Sequence, residues 1–177
     1  MNFSKIYKNK YPLLVILFLI FAVRVNSFIK TNSATYDEHF YIGYGYSLLE
    51  TGEFRFRKDK TNLVPILSAL PLQFLNLNFS IQNEDWIKGD TRKIKNIERW
   101  VFSEEMDHAS MFNYRFLYEN STSADKILTY ARMPILLISL LLAFVVYKWA
   151  SDLFGYAAGI FALLLYTFSP NILAHSG

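Results

Sequence analysis

Two long apolar runs separated by a polar stretch constrain this chain more than any other feature. The first is Pro12–Ile29, in which "PLLVILFLIFAV" is followed by Arg24 and then by Val25, Phe28 and Ile29. The second reads "MPILLISLLLAFVVYKWA" and is uncharged from Met133 to Tyr147. A helix that crosses a bilayer needs roughly 20 mainly apolar residues, because the hydrocarbon core offers an unpaired backbone no partner. The first run meets that length if Arg24 extends its guanidinium to the interface. A basic start with a short apolar core also describes a cleaved signal peptide. Here "VRVNSFIK" follows, bulky and charged where a cleavage site needs small residues, so an uncleaved helix is expected.

A third run, "GYAAGIFALLLYTFSPNILAHSG", carries Ala157, Ala158, Gly159 and Ala162, which allow close approach of helix backbones in lipid. Only "KWASDLFG" separates it from the second run, so the two should form an antiparallel hairpin joined by a tight turn. The expected fold is an all-α polytopic membrane protein with about three transmembrane helices, at 12–29, 132–150 and 155–174. Lys5, Lys8 and Lys10 precede the first span without an acid, which predicts a cytoplasmic segment 1–11. Residues 30–131 then face the other side, and the turn at Lys148 returns to the cytoplasm. The membrane would be the inner membrane of a bacterium or the endoplasmic reticulum of a eukaryote.

Composition agrees with that class. Hydrophobic residues make up 53% of the chain and aromatic residues 18%, which excludes a disordered or charge-dominated polymer. The net charge of +3 is spread among acids rather than gathered in a stripe, which argues against nucleic acid as a partner. Cysteine is absent, which removes disulfides and thiolate metal sites.

The outer loop has organisation of its own. Phe40, Tyr44 and Leu48 recur at helical spacing and Gly52 offers a stop, predicting a helix over 36–51. Its tyrosines suit a membrane interface, while Gly43 and Gly45 mean that it needs a membrane or protein surface to lie on. Residues 63–79 are apolar but interrupted by Pro65 and Pro71, with Gln73, Asn76 and Asn78 later, which favours a second interfacial helix over a further span. Polar residues 81–125, with Trp86, Trp100, Phe112 and Tyr114 among them, read as an ordered exterior loop.

Chemistry concentrates in "YDEHFY", Tyr36 to Tyr41. Thr35 and Glu38 have the spacing of a capping box, in which Thr35 accepts from a first-turn N–H and Glu38 reaches back to the cap. The helix dipole would stabilise Asp37 as well. A purely structural role thus explains both acids. A general base, by contrast, works best with a pKa drawn toward the operating pH, which a helix terminus opposes. His39 reads as an interfacial side chain, and no second spaced histidine or cysteine supports a metal site. Arg24 and Arg132 close the first span and open the second, where arginine suits bidentate phosphate binding or simple interfacial anchoring.

The order "ATYDEHFYIGYGYSLLETGEFR", "VPILSALPLQFL" and "YARMPILLISLLLAFVVYKWASDLFGYAAGIFALLLYTFSPNILAHSG" resembles the N-terminal part of GT-C glycosyltransferases. The similarity is to the protein O-mannosyltransferase-like branch that depends on phospholipid carriers. It implies an enzyme moving a sugar from a polyprenyl-phosphate donor to a protein, lipid or glycan acceptor on the non-cytoplasmic face. It implies Asp37 as the general base, Glu38 as its partner acid and Arg132 as a ligand of the donor phosphate; Arg24, expected at the same membrane level, is a second candidate for that phosphate, and His39 and His175 are candidates for lining the site. No cofactor follows from it, and divalent metal dependence, oligomerisation, the sugar and the carrier stay open. Family members are longer and continue past "SPNILAHSG" to another acidic stretch, so the chain is expected to be a fragment, 175–177 being a cut end. The alternative is a non-enzymatic three-span scaffold or subunit whose outer loop binds another protein.

Overall fold

A computed structural model describes residues 11–56, 63–94 and 103–176. The expectations placed on Lys5, Lys8, Lys10 and Trp100 lie outside those residues. Among the described residues every regular element is helical. They are α1 (Tyr11–Thr31), α2 (Glu38–Thr51), α3 (Leu63–Ala69), α4 (Glu84–Lys88), α5 (Glu104–Tyr118), α6 (Ala124–Phe154), α7 (Tyr156–Phe168) and α8 (Pro170–His175). The chain divides into two units, one of residues 1–32 and 135–177, the other Ser33–Pro134.

In the first unit, α1 buries a single stripe, Leu17, Phe21, Val25 and Ile29, four residues apart. The stripe packs with Ala143 of α6 and with Leu163 and Tyr166 of α7. Phe21 meets the Tyr166 ring edge-on at 5.2 Å, and the Tyr166 hydroxyl donates to the Ser139 carbonyl at 2.9 Å. Leu13, Ile16, Leu19 and Val23 stay exposed on α1, as do Leu137, Leu141, Phe144 and Leu153 on α6. Both helices are long and apolar enough to cross a membrane, yet only 22% and 11% of their apolar windows are buried. The core helix of a soluble domain would be apolar because it is covered on most sides.

The hairpin is tighter than "KWASDLFG" suggested. Those residues continue α6 to Phe154, supported by the Lys148–Asp152 ion pair one turn apart, and the reversal falls on Gly155 at φ +88°. Only glycine takes such a backbone without strain. Gly159 follows one turn later, where an added Cβ would stand 2.8 Å from the Tyr147 carbonyl oxygen. The expected third span is interrupted. Pro170 has no N–H to continue the helix and forces the residue before it to extend, so Ser169 sits at ψ 121° and caps α8 instead. The 13 residues of α7 reach about 20 Å, short of the roughly 30 Å hydrocarbon thickness. Two described helices, not three, therefore have spanning length.

The second unit is built around α2, whose residues Ile42–Leu48 are all buried. One face, Phe40, Tyr44 and Leu48, joins an aromatic cluster of Phe56, Trp86 and Phe112. The other, Ile42 and Tyr46, packs with Ala69, Leu72, Phe116 and the first turns of α6 at Ile127, Leu128 and Ala131. The surface that α2 lies on is thus the protein's own. Its glycines permit that contact: a Cβ at Gly45 would stand 2.0 Å from the Pro65 carbonyl oxygen. The apolar stretch expected to be helical to residue 79 ends at Phe74, because Pro71 tightens it into a 3₁₀ turn, Leu70–Phe74. Residues 103–118, read as loop, form α5, capped where Ser103 accepts from the Met106 N–H at 3.2 Å.

Candidate functional site

The start of α2 is held by one arginine. The Arg132 Nε donates to Glu38 Oε1 and its Nη2 to Oε2, both at 2.7 Å, across 94 residues of chain. Nη2 also donates to the Ser33 carbonyl at 3.1 Å, and Glu38 Oε2 accepts the Thr35 N–H at 3.1 Å. One guanidinium thereby ties the connecting segment at Ser33 and the first residue of α2 to α6. Arg132 is only 4% exposed and the Glu38 side chain 18%, so the pair works with little screening by water. Such a fork-to-fork pair fixes orientation as well as distance.

Half of the expected capping box is formed. Glu38 reaches back to the Thr35 N–H, but the cap position falls to Asp37, whose side chain makes no cap hydrogen bond. Residues 36–37 form a turn, and Asp37 already has a helical backbone, φ −87° and ψ −14°, rather than the extended one a capping side chain usually has. Its carbonyl accepts from Tyr41 at 3.2 Å. Among the described residues the exposed Asp37 carboxylate has neither a hydrogen bond nor an ion pair.

The adjacent acids therefore differ in kind: Glu38 is committed and Asp37 is open. Glu38 and Arg132, expected in separate roles, are brought together, and the Nε and Nη2 side of the guanidinium is engaged by Glu38 and Ser33. His39, next in sequence, is half-buried, and that burial holds its pKa below the ordinary 6.5 against the opposing charge of Asp37.

Tyr36 and His39 face an open groove of about 690 Å³ between the start of α2 and α5. Its far wall is Asp107, Ser110, Met111, Tyr114 and Tyr118, all on one stripe of α5. Nothing in the sequence reading anticipated this wall. Its signal was present: Ser103 followed by Glu104, Glu105 and Asp107 is a helix start, and Ala109, Phe112, Phe116 and Leu117 recur with helical period. Also unforeseen is Asp85, buried on α4, which accepts from Arg115 Nη1 at 2.8 Å and pairs with His108 Nδ1 at 2.7 Å.

Arg24 and His175 belong to the other unit. The Arg24 guanidinium carbon lies 4.9 Å from the Phe168 ring centroid, a cation–π contact. His175 lines a cavity of about 250 Å³ with Ser139, Tyr166 and Asn171. Among the described residues no group of three or more histidines and acids is placed to hold a metal ion. No known protein family, curated protein or solved structure matches the chain.

Proposed function

We propose that this chain is part of a multi-pass membrane glycosyltransferase of GT-C type, using a polyprenyl-phosphate-linked sugar and Asp37 as its general base. The observation that carries the reading is the division of labour in the acidic pair. Glu38 is neutralised by a buried arginine and fixes the helix start, while Asp37 beside it is exposed, unpaired among the described residues and next to a groove. In the proposed step an Asp37 oxygen takes the proton of an acceptor hydroxyl as the hydroxyl's own oxygen bonds to the anomeric carbon. The bond from that carbon to the phosphate oxygen breaks, and polyprenyl phosphate departs with the electron pair. A phosphate leaves well, so the displacement asks chiefly for a base on the acceptor and positive charge near the departing oxygen.

In this reading α1 and α6 cross the membrane, α7 with α8 returns as a broken third span, and residues 30–131 lie on the non-cytoplasmic face. The native gene product, in membranes supplied with a radiolabelled polyprenyl-phosphate sugar, should transfer label to an acceptor. Asp37→Asn should lower transfer at least about 10²-fold, the lower end of what a general base contributes. Transfer unchanged by Asp37→Asn refutes the assignment. The 177 residues contain no cysteine, so a single Ile81→Cys variant of this chain reports sidedness. Labelling of that residue from the cytoplasm would overturn the topology.

A further inference from the structure

We propose that the groove between the start of α2 and α5 is an acceptor subsite that selects an extended, positively charged peptide segment. The inference rests on the glycosyltransferase reading and names the acceptor class for that site. Helix α5 carries two stripes. Ala109, Phe112, Phe116 and Leu117 are buried in the unit's core, whereas Met111, Tyr114 and Tyr118 are 44–48% exposed along the groove. Tyr36, 89% exposed, stands on the opposite wall.

Three open tyrosines and a methionine on a groove are more apolar surface than a solvated helix face needs, and each tyrosine presents a ring face and a hydroxyl. The stripe from Asp107 to Tyr118 advances about 16 Å along the helix. An extended peptide covers that distance in about five residues.

Charge decides what kind of peptide. Among the described residues Asp107 is the lining residue that carries a full charge, its carboxylate has no ion pair, and no lysine or arginine lines the groove. Asp37 lies between Tyr36 and His39, which both line it. On the α2 side the Arg132 guanidinium is bound to Glu38, and on the α5 side Arg115 and the His108 imidazole are bound to Asp85. The first turn of α5 adds Glu104 and Glu105. A phosphate entering here would face carboxylates without a counter-charge, which separates the groove from the donor phosphate. A lysine or arginine side chain would gain both Asp107 and the tyrosine faces.

Binding is read without donor, on the native gene product in nanodiscs of zwitterionic lipid at low salt. The probes are fluorescein-labelled pentapeptides with a central serine flanked by lysine, glutamine or glutamate. Lysine peptide should bind at least about tenfold tighter than glutamate peptide, with the ratio shrinking as salt rises. Asp107→Lys, at an exposed position, should invert that order, Asp107→Asn should flatten it, and Tyr114→Ala should weaken the lysine peptide.

Equal binding of the three peptides, or an order unchanged in Asp107→Lys, overturns the proposal. The two readings fail separately. Transfer that ignores Asp37 removes the base assignment and leaves the binding result standing. Charge-blind binding in an enzyme whose transfer requires Asp37 removes only the subsite.

Discussion

The ion pair between Arg132 and Glu38 makes an asymmetric prediction. Glu38→Gln removes the counter-charge of a guanidinium that is 4% exposed and leaves it the Ser33 carbonyl, 3.1 Å away. Breaking a fully buried pair from one side typically costs about 3–5 kcal/mol; because the carboxylate end is partly wet, about 2–4 kcal/mol is expected. Arg132→Met strands the other partner, but the Glu38 side chain keeps 18% exposure and the Thr35 N–H, so about 1–3 kcal/mol is expected.

The double variant should cost less than the sum, with a coupling of about 1–3 kcal/mol. Hydrogen exchange of a peptide covering α2 measures the local opening free energy directly. Glu38→Gln should speed its protected amides roughly 10²-fold, and Arg132→Met less. Two single variants within about 0.5 kcal/mol of the parent, or strictly additive costs, would refute the claim that this pair holds the start of α2.

Three further outcomes concern the second unit. Gly45→Ala puts a methyl 2.0 Å from the Pro65 carbonyl oxygen, a backbone atom that cannot swing aside, so α2 and α3 must separate. Overpacking of this kind costs about 1–3 kcal/mol, and a thermal midpoint equal to the parent's would contradict the packing described. Asn120 clasps a neighbouring segment, accepting the Asn78 N–H at 2.8 Å and donating to the Asn78 carbonyl at 3.2 Å. Asn120→Ala should cost about 1–2 kcal/mol and raise exchange at Asn78 before any other amide; uniform exchange would argue against the clasp. Asp90 tests the electrostatics, since a hydrogen bond from Arg92 is the main reason its pKa lies below the ordinary 3.8. A depressed carboxylate stabilises the fold fully above its unfolded value, and that contribution is lost as pH falls through the lower folded value. A carboxyl carbon resonance of Asp90 that titrates at or above 3.8 would contradict the Arg92 pairing.

What the sequence made legible was period and punctuation. Phe40, Tyr44 and Leu48 announced α2 because a helix repeats its faces every 3.6 residues, and Gly52, at φ 69°, ends it where a left-handed residue is needed. The apolar runs announced α1 and α6 by length alone. Two errors came from reading polarity as the absence of helix. Helix α5 has charged residues through its first turn and few aliphatics, yet Ala109, Phe112 and Phe116 are enough to bury one face. "KWASDLF" is polar but keeps helical hydrogen bonding to Gly155. The site itself was half legible: the acids were visible, but nothing local tells that Glu38 pairs with Arg132, 94 residues away. Asp107 and Tyr114 were invisible as site residues because their importance comes from facing Tyr36 and His39 across a groove.

In the proposed reading, that pairing separates the work of cap and base between the two acids. If both acids capped the helix, each would be stabilised as an anion by the helix terminus and neither would be a good proton acceptor. Instead Glu38 takes the Thr35 N–H and Arg132, so the backbone leaves the cap position to Asp37 in a conformation that makes no cap bond. An acid in that position keeps its lone pairs for a ligand while its main chain is anchored on both sides, by the Glu38 clamp and by the Tyr41 N–H on its own carbonyl. Exchanging the two residues, Asp37→Glu with Glu38→Asp, should therefore not preserve the arrangement. The shorter acid at 38 would fall short of the guanidinium fork that Glu38 meets at 2.7 Å on both oxygens. Exposure alone does not make Asp37 a candidate base; what distinguishes it is that its neighbour has taken over the structural work that an acid at a helix start would otherwise do.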